Sequence, residues 1–231
     1  MSQKTYTCSV CQDMRIVSKD VPYTHPDFGK AFPCPVCGVS YKQDQLLKLS
    51  RLNERQAQVT LDDLNEYERP QTQVMKDMVA KVMRQELAWL TLIGKPGVGK
   101  STALYAVVNH FRKQGVKAVY LDWSTLLEFI REGFDPRAET SSQWRFGLAL
   151  TAPVVCLDEI DKARPTEWAL EQLHRFVNYR WEMAHVQSSQ KLITVFAMNV
   201  EPENEHLRSR LLDKRFGFVY NYDADFRTDI W

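Results

Sequence analysis

The 231-residue chain has no stretch near the roughly 18 uninterrupted apolar residues that a membrane helix needs, and its opening, MSQKTYTCSV, lacks the basic-then-apolar layout of a secretory leader. A cytoplasmic protein without membrane contact is expected. Charge of one sign is missing too: 30 Lys plus Arg stand against 29 Asp plus Glu. Without a global field to draw it onto nucleic acid or an anionic surface, the chain can make such contacts only locally. Cysteine is sparse, five in all, and four of the five fall within the first 37 residues. A reducing compartment disfavours disulfides, so this clustering points to a metal.

What is present supports one full core plus a small appended module, since 44% of the residues are apolar. Cys8 and Cys11 form one C-x2-C pair, Cys34 and Cys37 another, and each pair can wrap a tight turn that aims two thiolates at one ion. Four sulfurs at tetrahedral positions suit zinc. Prolines stiffen the second turn, Pro33-Cys34-Pro35-Val36-Cys37-Gly38, and the whole resembles a zinc ribbon, although the 22 residues between the pairs slightly exceed the usual spacing. A redox role for either pair would require a thioredoxin-like βαβ setting, which is absent. His25 lies between the knuckles, but four thiolates already complete the site, so a surface histidine is the simpler reading. Residues 1–50 are read as this module, 51–88 as a helical linker and the start of a nucleotide domain, and 89–231 as the main core. So small a module has too little apolar core to fold unaided, which makes the metal its staple.

Between the two, residues 42–58 are polar with leucines at mostly helical spacing and predict a connecting helix. Val74-Met75, Met78-Val79, Val82-Met83 and Leu87, following Pro70, predict an amphipathic helix leading into the first strand. Its methionines could form an adaptable surface, but a stripe at this spacing is more simply a core face.

Trp89-Leu90-Thr91-Leu92-Ile93 is a strand-like run that leads directly into Gly94-Lys95-Pro96-Gly97-Val98-Gly99-Lys100-Ser101, the pattern G-x-x-x-x-G-K-S. Glycines let successive backbone N–H groups turn inward on phosphates, and the helix that follows adds its positive dipole end. Residues 94–101, with Thr102, are the candidate nucleotide-binding set. Lys100 is placed to reach the β- and γ-phosphates, and the Ser101 hydroxyl to ligate magnesium. A second run, Pro153-Val154-Val155-Cys156-Leu157, ends in Asp158-Glu159 at a strand's C-terminal edge. Asp158 fits the magnesium-side carboxylate and Glu159 the base that activates water, so ATP hydrolysis is expected rather than binding alone. Cys156, mid-strand, reads as a small buried hydrophobe. A third run, Leu192–Met198, ends in Asn199, whose amide could lie beside the water and the γ-phosphate, though a strand-end Asn is also a common turn former. With Ala118–Asp122, these apolar runs alternate with helix-like stretches, the pattern of a parallel sheet covered on both faces, an α/β sandwich.

From about residue 59 onward the chain resembles the AAA+ helicase-loader ATPases of the DnaC and DnaI type and, more distantly, the transposition helper IstB. The residues that carry the resemblance are Thr60–Leu64, the phosphate loop, Tyr120-Leu121-Asp122, Leu126-Leu127, Ile130-Arg131, Asp158–Asp161 and Asn199. The resemblance implies a P-loop AAA+ three-layer sandwich and an adenine pocket near residues 59–70. Arg208-Ser209-Arg210-Leu211 looks like the segment in which an arginine reaches a neighbouring subunit's γ-phosphate; Arg210 matches best, Arg208 is the alternative, and Arg227 resembles a later sensor arginine. A guanidinium suits that role because it pairs bidentately with phosphate oxygens. On pattern alone these arginines read as a solvated basic face. No helical lid is expected after Phe218-Val219-Tyr220.

The resemblance further implies ATP-dependent self-assembly, a DnaB-type replicative helicase bound through the N-terminal module, and single-stranded DNA handled by the ATPase domain. Arg131, Arg137, Trp144 and Arg145 are weak candidates for that DNA contact. The alternatives are a transposition helper that binds duplex DNA and a transposase, a small-molecule kinase, and an adaptor with an inactive site. Glu159, Asn199 and Arg210 argue against the kinase, and intact Lys100, Ser101, Asp158 and Glu159 against the adaptor.

Overall fold

The computed structural model describes residues 6–14, 16–23, 25, 28–29, 31–36, 47–50, 52–64, 69–138, 140–163, 166–185 and 191–225. The chain divides into two compact units, Met1–Lys48 and Leu49–Trp231.

In the first unit, strands β1 (Ile16–Ser18) and β2 (Ala31–Pro33) pair antiparallel, with Ile16 opposite Pro33. So short a hairpin buries almost nothing by itself. The buried cluster among its described residues is Cys8, Cys11 and Cys34, with Val17 packed against it. The first cysteine turn is closed by Asp13, whose carboxylate accepts the N–H groups of Thr7 at 3.1 Å and Cys8 at 2.9 Å. Gln12 and Asp13 both take the left-handed conformation there, at φ 50° and 65°.

The second unit is built on strands β3 (Trp89–Gly94), β4 (Ala118–Asp122), β5 (Val154–Asp158), β6 (Ile193–Met198) and β7 (Phe218–Asn221). They form one parallel sheet in the order β4-β5-β6-β3-β7. Every residue of β3, β5 and β6 is buried, as a parallel sheet covered on both faces requires. Alternate side chains serve the two faces. Leu90, Leu92, Val154, Cys156, Val195 and Ala197 join the cluster made with helices α1 (Pro70–Met83) and α2 (Lys100–Lys113). Trp89 and Phe196 point the other way, their rings 4.8 Å apart, and Phe196 also meets Phe176. That second layer consists of α3 (Trp123–Glu132), α4 (Ser142–Thr151), α5 (Glu167–His185) and α6 (Glu205–Leu211). The α/β sandwich expected from the alternating pattern is present, in the three layers that the resemblance implies.

Local chemistry sets the helix starts. Asp122, Ser141 and Asn204 cap α3, α4 and α6, their side chains accepting N–H groups of the first turn. α1 begins with Pro70, suited to the first turn because it has no N–H to satisfy. Its cap comes from far along the chain: the Asp223 carboxylate accepts the Thr72 N–H at 2.7 Å and the Thr72 hydroxyl at 2.8 Å. Met75 is fully buried, and Met78 and Met83 pack against the same core, so the methionine stripe is a core face. Leu87 lies beyond the helix, past Gln85, which turns the chain at φ 61°.

The continuous helix expected over 42–58 is not formed. Residues 47–49 are helical, but from 52 onward the chain runs through turns and a single 3-10 turn at Gln56–Gln58, the remainder of the span lying outside the described residues. The cause is side-chain competition for the backbone. Asn53 and Gln56 bond each other's N–H groups reciprocally at 2.9 and 3.0 Å, and Asn109 of α2 takes the carbonyls of Gln56 and Val59. Among the described residues no helix is long and apolar enough to cross a membrane.

Candidate active site

The sheet order places β5, β6 and β3 side by side, so their C-terminal ends gather three loops in one place. Ligands bind at that edge of an open parallel sheet. β3 ends at Gly94, whose φ of 155° and contact with β7 leave no room for a side chain, since a Cβ there would lie 1.8 Å from the Asn221 carbonyl. The loop then rises to Gly99, left-handed at φ 90°, the residue from which α2 starts. The result is a ring of backbone around a helix N-terminus, suited to an anion.

A cavity of about 410 Å³ opens here. Its walls include Pro96, Gly97, Gly99, Lys100, Ser101 and Thr102 from the loop and the start of α2, Asp158 at the end of β5 with Glu159 directly after it, and Asn199 directly after β6. Asp63 and Leu64 also line it, within the span read as the adenine side, whereas residues 65–68 lie outside the described residues. Gly94, Lys95 and Val98 shape the loop without lining the cavity. The Gly94 and Lys95 carbonyls accept from Lys100 Nζ at 2.6 and 2.8 Å, and Asn199 Oδ1 accepts from it at 3.2 Å. Burial pushes the Lys100 pKa down, and the nearby Asp158 and Asp161 carboxylates oppose that shift.

Asp158 is 3% exposed and fully engaged. Its Oδ2 accepts from the Ser101 hydroxyl at 2.6 Å and the Tyr120 hydroxyl at 2.9 Å, and its Oδ1 from the Glu159 N–H at 2.8 Å. With the Ser101 proton directed at Asp158, the serine lone pairs are left for a cation, and an oxygen-only donor set of this kind suits magnesium. Glu159 stands at φ 55°, a left-handed conformation uncommon for a side chain of its size, and its carboxylate is ion-paired with Lys162. Asp122, opposite Asp158 in the sheet register, brings a second carboxylate against Glu159. Burial raises the Asp122 pKa, its bond from the Thr125 N–H opposes that, and the Glu159 carboxylate raises it further. Burial and then the Asp158 carboxylate likewise push the Tyr120 phenol well above its ordinary value, so it stays a donor. Asp161 holds Asn199 in place by accepting its N–H at 2.9 Å.

Tyr120, Asp122, Asp161 and Lys162 acquire no individual site role from the sequence. Only sheet register and turn geometry bring them to the cavity. The one available signal was adjacency, since Asp161 and Lys162 follow Asp158-Glu159 directly.

Arg210 lies on α6, outside the cavity. Its guanidinium packs over Trp181 at 5.3 Å, Nη1 reaches the His206 carbonyl only at 3.4 Å, and Nε is buried without a partner. Arg208 is more exposed and bonds Glu201 at 2.8 Å. Arg227 lies outside the described residues. Of the DNA candidates, Arg145 is committed internally, to the Phe129 carbonyl and to Glu132 at 2.6 Å. Arg131 lies over Trp168, Trp144 is half-buried on α4, and Arg137 is exposed.

In the first unit the Cys8 and Cys34 sulfurs are 3.8 Å apart, and the ligand atoms of Cys8, Cys11 and Cys34 all lie within 4.8 Å of one another. A tetrahedral zinc with bonds of about 2.3 Å sets its sulfurs about 3.8 Å apart, so the cluster fits that ion. Cys37 and Gly38 lie outside the described residues. His25 is exposed and does not belong to the cluster.

Residues 90–222 match the family described as ATPase family associated with various cellular activities (AAA), and residues 39–131 match a protein family of unknown function, DUF815. The replicative helicase loader DnaI of Bacillus subtilis is 28% identical over 114 residues, which cover 49% of this chain and 34% of that protein. The chain thus spans about a third of the length of the curated relative it matches. A DnaC helicase loader structure superposes with a TM-score of 0.56 at 18% identity, covering 73% of this chain and 99% of that one. The replication initiator DnaA, bound to AMPPCP and single-stranded DNA, superposes with a TM-score of 0.61 at 16% identity, over 75% of this chain and 51% of that one. These structural likenesses establish the shared P-loop fold.

Proposed function

The chain belongs to the AAA family of ATPases, and from that premise we propose that it loads a DnaB-type replicative helicase onto single-stranded DNA, hydrolysing ATP between subunits. The observation that carries the loader reading is the likeness to DnaI, a protein described as a replicative helicase loader. The cysteine cluster, placed ahead of the nucleotide unit as the zinc-ribbon resemblance expects, supports a separate helicase-binding module.

Hydrolysis is supported by the arrangement at the cavity. The loop amides and Lys100 bind the phosphates, with Lys100 exchanging its bonds to the Gly94 and Lys95 carbonyls for phosphate oxygens. Ser101, with Asp158 behind it, would hold magnesium, which would supply positive charge against the phosphates. Glu159 takes the proton from the attacking water once Lys162 releases its carboxylate, and Asn199 orients that water. Arg210 completes the site of a neighbouring subunit. To reach a neighbour it would leave the Trp181 ring and a long bond to its own helix, whereas Arg208 would have to break its ion pair with Glu201. Zinc held by Cys8, Cys11 and Cys34, with Cys37 as the fourth thiolate that the C-x2-C spacing expects, would serve structure and not chemistry.

The test is size-exclusion chromatography of the full chain with its cognate helicase in ATP and magnesium, with DNA binding followed by fluorescence anisotropy. A helicase complex that Cys34→Ser abolishes, together with preference for single-stranded DNA in ATP, is expected. Duplex binding with no helicase complex would sink the loader reading and favour the transposition helper.

A further inference from the structure

Asp158 receives a second hydroxyl that phosphate-loop chemistry does not require. Tyr120, on the neighbouring strand β4, reaches across the sheet end and donates to the same Oδ2 that accepts from Ser101. Behind Tyr120 stands Tyr105 of α2, the ring centroids 4.7 Å apart, and Gln56 Nε2 donates to the Tyr105 hydroxyl at 3.0 Å. Gln56 is fixed in turn, its N–H bonded to Asn53 and its carbonyl to Asn109 of α2. The Tyr105 hydroxyl thus accepts from Gln56 and the Tyr120 hydroxyl donates to Asp158, and the contact between the two rings joins these two bonds into one packed support.

We propose that Tyr120 is a positioning residue for the magnesium-side carboxylate, and that Tyr105 and Gln56 buttress it from the segment that leads into the nucleotide unit. The inference rests on reading the cavity as a magnesium–ATP site. A buried carboxylate held by the Ser101 hydroxyl and one backbone N–H alone would be free to turn when Ser101 takes up the cation. The Tyr120 bond comes from the far side and holds Oδ2 where Ser101 needs it. Groups of this kind, one step behind a metal's ligands, typically change metal affinity by about 10–100-fold when removed. The arrangement also ties Asp158 to residues 53–59, so displacement of that segment is felt at the cation.

The test uses the full chain and a fluorescent N-methylanthraniloyl ATP, titrated in EDTA and at a series of free magnesium concentrations, with thermal midpoints in parallel. Tyr120→Phe keeps the ring and removes only the hydroxyl. The magnesium needed for half-maximal tightening of nucleotide binding should rise about tenfold, with affinity in EDTA and the midpoint close to wild type. Tyr105→Phe should raise it less, about threefold. An unchanged magnesium requirement in Tyr120→Phe overturns the inference, as does an equal loss of affinity in EDTA, which marks a general packing role. Should Tyr120→Phe fail to fold, Tyr105→Phe decides on the same readout. Wild-type protein that binds no nucleotide in any condition overturns the reading of the cavity and this inference with it. Magnesium-dependent binding that Tyr120→Phe leaves unmoved overturns the inference alone.

Discussion

Glu159, proposed above as the base that activates water, stands in a backbone conformation that glycine would adopt more readily, at φ 55°. Strain of this kind costs on the order of 1–3 kcal/mol and is retained where the side chain is needed. Glu159→Gly is therefore expected to raise the thermal midpoint, or leave it unchanged, while abolishing turnover; a large drop in the midpoint would show that the conformation carries no strain. Asp213 is the other residue whose environment makes a definite forecast. Hydrogen bonds from Arg215 hold its pKa down to about 2, against an ordinary 3.8, with the Trp181 N–H assisting. A carboxyl depressed in the folded state contributes stability above its unfolded pKa and loses it as pH falls through the folded value. With Arg215 largely exposed, the contribution is on the order of 1–2 kcal/mol after screening. Asp213→Asn should lose that amount at neutral pH and show a flatter decline between about pH 4 and pH 2 in denaturant titrations. Parallel curves for the two proteins would contradict the assignment. Neither effect is readable in the sequence, because both depend on which residues fold against these two.

Among the elements, the phosphate loop and the three runs that end in Gly94, Asp158 and Asn199 were legible because each is a local pattern, an apolar strand followed directly by its chemistry. The linker's leucine spacing predicts a helix that does not form, because Asn53, Gln56 and Asn109 divert its backbone bonds. The join between α4, α5 and β6 was invisible for the same reason of distance along the chain. Arg180 of α5 is fully buried, and it donates to the Thr194 hydroxyl and to the carbonyls of Ala149, Leu150, Ala152 and Ile193. It satisfies the end of α4 and the start of β6 at once, and burial pushes its pKa down to about 9. Removing it leaves several buried acceptors unpaired, so Arg180→Met should cost about 3–5 kcal/mol, a fall in the midpoint of roughly 6–20 °C for a unit of this size. A midpoint within a degree or two of wild type would show that the staple carries little of the stability.

At the scale of the whole molecule, the two units differ in what holds them. Leu49–Trp231 has a sheet buried on both faces, whereas the described part of Met1–Lys48 buries three cysteines and little else. Chelation, or Cys34→Ser, is expected to expose the amides of the first unit in hydrogen exchange while the second still unfolds cooperatively at an unchanged temperature. One zinc per chain by elemental analysis should accompany the protected state, and protection that survives metal removal would contradict the staple. The division between the units falls between Lys48 and Leu49. The meeting of Asp122, Tyr120 and Asp161 around Asp158 and Glu159 did not emerge, because it is a product of strand order. We propose that ATP is hydrolysed at this meeting point. The most direct test is steady-state ATP turnover by wild type and Glu159→Gln in magnesium, with nucleotide binding measured on the same samples. Turnover in the wild type that falls at least about 100-fold in Glu159→Gln, with ATP binding retained, is the predicted result. Equal turnover in the two proteins, or none in a wild type that binds ATP, would contradict it.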